Sequence, residues 1–211
     1  MSLMEIQAVR YTYDGRRNVL KSVQAGFEAG KMYAIVGPSG CGKTTLLSLL
    51  GGLDSPTEGK ILFDGKDLET IGLAAHRKNN VAFIFQSYNL IDYLTPQENV
   101  ALTSRLPPLP VLERMGITRE ESRRNVLKLS GGQQQRVAIA RALASDARVI
   151  LADEPTGTLD EDTAAGITAV LKECAHQMNQ CVVIVTHSAG LAKQADVVLH
   201  LRKGELRAER G

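Results

Sequence analysis

Hydrophobic positions along this chain fall into two rhythms. Near the start, apolar residues recur in short runs broken by turn residues: Leu3 to Val9 before Asp14-Gly15, Val19 to Phe27 before Glu28 to Lys31, and Ile61 to Phe63 before Asp64-Gly65. That alternation predicts an antiparallel sheet lobe. Embedded in it, Met32 to Val36 reads as a short buried strand, and Thr44 to Leu50 continues as an apolar helix. Later, Val81 to Phe85, Val149 to Ala152, Cys181 to Thr186 and Val197 to Leu201 are apolar runs too short for helices. Helical stretches such as Gln133 to Ala144 and Thr163 to Gln177 separate them. Strands alternating with helices predict a parallel sheet covered by helices, with the chain ending soon after Val197 to Leu201.

Residues 89–129 change character. Thr95-Pro96-Gln97-Glu98 and Thr118-Arg119-Glu120-Glu121 both read as capping boxes that start helices, split by a Pro107-Pro108-Leu109-Pro110 break. We read one domain over 1–211, with residues 1–88 and 130–211 as its core and 89–129 as an inserted helical lobe.

Composition narrows the class of function. The 211 residues, 44% hydrophobic, suffice to bury a substantial core. No apolar stretch approaches the roughly 18 residues of a membrane helix, and Glu5 and Arg10 interrupt any signal-peptide region, so a cytoplasmic protein is expected. A net charge of +2 argues against a broad nucleic-acid footprint. Cys41, Cys174 and Cys181 lack zinc-ligand spacing and suit reduced thiols. Cys174 and Cys181 read as small core side chains.

The chemistry begins at Gly37-Pro38-Ser39-Gly40-Cys41-Gly42-Lys43-Thr44, which fits G-x-x-x-x-G-K-[ST] and leads through Thr45 into the predicted helix. In such a loop, small residues let backbone N–H groups wrap phosphates, and the helix N-terminus adds positive potential. Lys43 would reach the β and γ phosphates, and the Thr44 hydroxyl would bind Mg²⁺. Asp153-Glu154-Pro155 ends the run from Val149 to Ala152, where a sheet of this kind collects its ligands. Adjacent strand residues point to opposite sides, so the two acids should differ in role. Asp153 suits an outer ligand to Mg²⁺ through water, and Glu154 a general base polarising the attacking water.

Leu129-Ser130-Gly131-Gly132-Gln133, followed by Gln134-Gln135-Arg136 and an apolar helix, resembles the signature sequence of ABC ATPases. Ser130 is placed as N-cap and Gln133 as its reciprocal partner, leaving a glycine-lined helix N-terminus free to hold an anion. The resemblance implies an α/β P-loop NTPase fold: a mostly parallel core sheet, an N-terminal antiparallel β lobe and an inserted α-helical lobe. By the same resemblance, Gln86 matches the loop glutamine that binds Mg²⁺ and senses the helical lobe. Asp160, in Thr158-Leu159-Asp160, matches the aspartate that crosses the dimer interface, and His187 the histidine that contacts the γ phosphate. Tyr13 resembles the aromatic that stacks on adenine, although Tyr11 would share its strand face. His76, His176 and His200 match nothing and read as surface or packing residues.

The resemblance implies a MgATP-hydrolysing subunit in which Glu154, His187, Gln86 and Lys43 are catalytic. ATP would lie between the phosphate loop of one copy and residues 130–133 of a second copy facing it head to tail. An integral membrane permease is the implied partner, with the ATPase peripheral on the cytoplasmic face of the membrane. Phe85-Gln86-Ser87-Tyr88-Asn89-Leu90-Ile91, Glu98-Asn99-Val100 and Asp153-Glu154-Pro155-Thr156-Gly157 look like the macrolide-efflux and lipoprotein-release branch, including bacteriocin and antimicrobial-peptide transport ATPases. Export of a peptide, lipid-linked or drug-like substrate is the implied role. The alternative is an actuator of a non-transporting, permease-like complex in signalling or cell division. The Pro-containing lobe departs from that branch, as does Ser188 after His187.

Overall fold

The structure is a computed structural model that describes residues 2–105, 107–157 and 159–208. Along the chain run β1 (Met4–Thr12), β2 (Asn18–Phe27), β3 (Met32–Val36), α1 (Lys43–Leu50), β4 (Glu58–Phe63), β5 (Lys66–Asp67), α2 (Leu68–Ile71) and α3 (Leu73–Asn79). Then come β6 (Val81–Ile84), α4 (Pro96–Ala101), α5 (Pro108–Arg114), two single 3-10 turns (Glu121–Arg123 and Val126–Lys128) and α6 (Gly131–Leu143). The chain continues through β7 (Val149–Asp153), α7 (Glu161–His176), β8 (Cys181–Val185), α8 (Ala189–Ala192), β9 (Val197–Arg202) and β10 (Glu205–Ala208).

Two sheets result. One is antiparallel, in the order β2-β1-β4-β5; the other runs β10-β9-β3-β8-β7-β6 and is parallel from β9 to β6. The alternation of side chains along β7 explains how the layers hold together. Val149 and Leu151 join a core with α1 and the antiparallel sheet, whereas Ile150 and Ala152 join a second core under α4, α5, α6 and α7. With both faces covered, all five residues of β7 and of β8 are buried, which is why these strands read as continuous apolar runs.

This register fixes the functional edge. Ile35 pairs with Val185, and Val185 with Asp153, so β3, β7 and β8 end side by side. Two further bonds extend the alignment past the strands, from Thr186 N to the Ile35 carbonyl (3.2 Å) and from Glu154 N to the Val185 carbonyl (2.9 Å). The segments leaving those strands therefore emerge on one side, the side on which open α/β sheets bind ligands.

Three sequence expectations need correction. Val197 to Leu201 is not the last strand: Lys203 (φ 52°) and Gly204 (φ 81°) form a tight turn that returns β10 against β9. The prolines at 107–110 do not merely break the chain. Pro108 begins α5, where a missing N–H costs nothing. Thr118 and Glu121 do form a reciprocal cap, with both backbone bonds present, yet only a 3-10 turn comes after it because Arg124 is already extended. Helices α2, α3 and α8 have no counterpart in the sequence pattern. His76 of α3 is fully buried, bonded to the Leu50 carbonyl (3.1 Å) and edge-on to Phe63; burial lowers its pKa and keeps it neutral. His176 bonds Asp196.

Packing at the end of α1 is tight enough to test. Gly51 faces the ring of Phe83, and a β-carbon there would overlap it. Gly51→Ala is expected to cost about 1–3 kcal/mol through overpacking, read as a lower urea midpoint with unchanged slope. Burial also sorts the thiols: it pushes Cys174 up to about 11 and Cys181 up to about 12, while Cys41 is half-buried. Iodoacetamide at about pH 8 should alkylate Cys41 alone in the folded protein, as read by peptide mass mapping.

Candidate nucleotide site

The loop between β3 and α1 is shaped by two glycines. Gly42 has φ 105°, a conformation that side-chain-bearing residues rarely adopt, and a β-carbon on Gly37 would collide with the Leu201 carbonyl of β9. The chain can thus turn sharply beneath β9 and enter α1 with its backbone, rather than side chains, lining the loop. Lys43 reaches back across the turn: its buried ammonium donates to the carbonyls of Gly37 (2.9 Å) and Pro38 (3.0 Å) and lies 3.3 Å from His187 Nε2.

Around this loop the structure brings together most of the residues expected from sequence. A cleft of about 470 Å³ is walled by Ser39, Gly40, Gly42, Lys43, Thr44 and Thr45 from the loop and α1. Gln86, Asp153, Glu154 and His187 complete its far side, and Tyr13 and Val19 its near one. Thr44 Oγ1 donates to Asp153 Oδ2 at 2.9 Å. Pro38 and Cys41 belong to the turn itself, joined by a bond from Cys41 N to the Pro38 carbonyl (3.4 Å).

Glu154 differs from Asp153 for a reason other than strand alternation. β7 ends at Asp153, and Glu154 adopts φ 47°. A left-handed backbone at a residue with a side chain is held only where its surroundings impose it. Here Glu154 N is bonded to Val185, and its Oε2 accepts from Thr186 Oγ1 and from His187 N, each at 3.2 Å. Its other oxygen, Oε1, is buried with no hydrogen-bond partner, and His187 Nε2 stands 3.5 Å from it. The Glu154 carboxylate lines the cleft with one oxygen uncommitted to hydrogen bonds, the state of a group able to take up a proton.

The two tyrosines separate clearly. Tyr13 lies just past β1, 71% exposed, whereas Tyr11 is 6% exposed, so they do not share a strand face. Tyr11 donates to the Asp54 carboxylate, and that bond above all pushes its pKa up to about 12. Its ring braces Tyr13 edge-on at 4.9 Å, and Tyr13 OH is 2.8 Å from Thr45 Oγ1. An aromatic face at the cleft mouth is left free for a flat ring.

The remaining expected residues lie elsewhere. Ser130 caps α6 and forms the reciprocal box with Gln133, with Gly131 and Gly132 in its first turn. Asp160 caps α7, accepting from Thr163 N, a bond that holds its carboxyl below the usual range. None of these five residues lines the cleft. Thr158, two residues before Asp160, lies outside the described residues. Two residues carry weight that sequence reading missed. Thr186 fixes Glu154, and Arg141 of α6 donates to the carbonyls of Tyr88 (3.0 Å) and Asn89 (2.6 Å), pinning the loop after Gln86. Position directly before His187 was the only sequence cue for Thr186; Arg141 offered none.

A strand, a glycine-shaped loop and a helix at the carboxyl edge of a parallel sheet, with a lysine and two acids converging, define a P-loop nucleotide-hydrolysing fold. The family profile described as ABC transporter matches residues 20–157. An uncharacterized ABC transporter ATP-binding protein of Bacillus subtilis, YclH, is 44% identical over 97% of this chain and 95% of its own length. The macrolide export ATP-binding/permease protein MacB of Brucella melitensis is 42% identical over 89% of this chain, which spans only 31% of that protein. Among solved structures, the dimeric ABC transporter cassette MJ0796, from Methanocaldococcus jannaschii, superposes with a TM-score of 0.91 at 36% identity, covering 99% of both chains. Its post-hydrolysis state bound to ADP and phosphate superposes with a TM-score of 0.89 at 35% identity. The chain belongs to the ABC transporter family and is an ATPase cassette of it.

Tyr13 supplies a direct test of the cleft. Tyr13→Ala should raise KM for ATP about tenfold through lost base stacking while moving the melting temperature by no more than about 2 °C. An unchanged KM would remove Tyr13 from the adenine site.

Proposed function

We propose that two copies of this chain close head to tail around two MgATP and drive a membrane permease. One observation carries the reading: the cleft holds Lys43, Asp153, Glu154 and His187, yet the anion-ready helix N-terminus at Ser130 is not part of it. A single chain holds both halves of a site without joining them. A second copy, rotated so that its Ser130 and Gly132 face the γ phosphate held by Lys43, would complete each site and repeat the contact symmetrically. Asp160 would cross the same interface. The solved cassette relative is described as a dimer, which supports the reading.

In this arrangement Lys43 exchanges its contacts with the Gly37 and Pro38 carbonyls for phosphate oxygens, and the loop amides and α1 hold the β phosphate. Glu154 Oε1, buried and unbonded, accepts a proton from the attacking water, while His187 donates to the γ phosphate. Among the described residues no group of three or more His, Cys, Asp or Glu stands ready to hold a metal. Thr44, Gln86 and Asp153 offer a few hard oxygen donors, so a cation here would complete its shell from phosphate and water, a habit of Mg²⁺. That ion would neutralise charge developing on the phosphates.

A groove of about 630 Å³ beside Phe83, Phe85, Leu102 and Arg105 is the proposed permease seat, and Arg141 ties it to the loop after Gln86. No helix among the described residues is long and apolar enough to cross a membrane, so membrane attachment in this reading comes through the permease. Macrolide export and pyoverdine export are named activities of relatives. Export of a peptide, lipid-linked or drug-like molecule is the role we propose by that likeness.

Glu154→Gln should retain ATP binding, lose at least about 100-fold in turnover, and elute as an ATP-dependent dimer by light scattering. Lys43→Ala should lose ATP binding altogether. Wild-type turnover in Glu154→Gln would remove Glu154 as the base.

A further inference from the structure

A hydrogen-bonded line runs from the helical segment into the glycine-lined start of α6. In the cap of α6, Ser130 N donates to Gln133 Oε1 at 2.8 Å. The amide end of Gln133 then donates through Nε2 to Glu121 Oε1 at 2.6 Å. Reversing that amide would set its NH₂ against the Ser130 N–H and its carbonyl against the carboxylate, so both partners fix one orientation. Glu121 is itself held from behind: its second oxygen accepts from Thr118 N (2.8 Å) and Thr118 Oγ1 (2.9 Å). Chiefly the Thr118 N–H, then its hydroxyl, and further the Gln133 amide hold its carboxyl below the usual range. The neighbouring Ser122, fully buried, accepts from Gln97 Nε2 of α4 at 2.8 Å and donates to the Arg119 carbonyl at 2.8 Å. Leu102, 55% exposed at the end of α4, lines the groove of the proposed permease seat.

We propose that Glu121 is a positioning residue for ATP-driven dimerisation: it locks Gln133, so that the start of α6 meets the partner's nucleotide already ordered. This rests on the shared-site reading. The Thr118–Glu121 cap is a local turn closure whose carboxylate has one oxygen to spare, and that oxygen is spent on Gln133. Preorganised donors at a phosphate site act without reorganising when the ligand arrives, and support of this kind is what holds them. Because Ser122 of the same turn is bonded to α4, displacement of α4 from the groove side would reach Gln133 through two hydrogen bonds.

The test uses the Glu154→Gln background, in which ATP binding to the monomer and ATP-dependent dimerisation are read separately. Glu121→Ala is expected to leave ATP binding by the monomer unchanged and to raise the dimer dissociation constant about tenfold, since a charge-assisted bond is lost at each of two sites. Thr118→Ala removes the two hydroxyl bonds of the local cap, keeps the bond from its backbone N–H to Glu121 and spares the Gln133 bond; it should lower stability and leave dimerisation within about twofold. In a double-mutant cycle, Gln133→Ala and Glu121→Ala should be non-additive, because one acts through the other. If Glu121→Ala fails to fold, Glu121→Gln reads the same comparison, with a loss of about threefold expected from a neutral acceptor. Dimerisation unaffected by either Glu121 variant, or lost equally in Thr118→Ala, overturns the proposal. Ser130→Arg in parallel separates the failures: if it blocks dimerisation while Glu121 variants do not, only this inference falls. If Ser130→Arg dimerises normally, the shared site falls with it.

Discussion

Between Val36 and Lys43 the chain must turn with no side chain at Gly37, because the Leu201 carbonyl of β9 passes directly beside it, and with a left-handed backbone at Gly42, which packs against Val19 and Leu20 of β2. A turn of this shape suits a phosphate ligand. A phosphate is held by amide groups pointing inward, and such groups can converge only where the backbone itself lines the cavity. The rest of the architecture serves that turn. β3 sits between β8 and β9 in a sheet buried on both faces, so the loop is anchored at a point that cannot drift. The same parallel register delivers Asp153, Glu154, Thr186 and His187 to the loop from two further strand ends.

The second constraint is where α6 begins, outside the cleft that holds Lys43. α6 begins with a capped, glycine-lined N-terminus, a good anion site in itself, yet it belongs to a different wall of the molecule from Lys43. Its apolar face, including Val137 and Ile139, packs in the core shared with α4, α5 and α7. The helix is therefore rigidly tied to the segment at 89–129, and through Arg141 to the loop after Gln86. The cleft, the helical segment and the groove are linked by packed and bonded contacts through the loop after Gln86. Contacts of that kind let occupancy at one face bias the position of another.

Much of this was legible in the sequence because it rests on local chemistry. The strand, glycine loop and helix around Lys43 needed only spacing, and the Ser130–Gln133 and Thr95–Glu98 caps form both reciprocal bonds that their residue types imply. What stayed hidden depends on tertiary context. Glu154 looked like the next residue of a strand, and only its bonds to Val185, Thr186 and His187 force the left-handed turn that aims its carboxylate. Pro107 to Pro110 looked like a stop, but proline at a helix start and proline after a helix end read alike until neighbours are known. Only resemblance ranks Tyr13 above Tyr11 in the sequence; the physical reason is Asp54, distant in sequence, which holds the Tyr11 hydroxyl.

The central claim, that each site is built by two chains, is tested most directly by mixing two inactive proteins. Lys43→Ala lacks a working phosphate loop and Ser130→Arg lacks a working partner face; each should be inactive alone. A heterodimer of the two contains one intact composite site, formed by the loop of the Ser130→Arg chain and the Ser130 face of the Lys43→Ala chain. The account predicts that ATP turnover reappears on mixing and rises with the concentration of either component. Turnover that stays at the level of the separate variants at every ratio would contradict it.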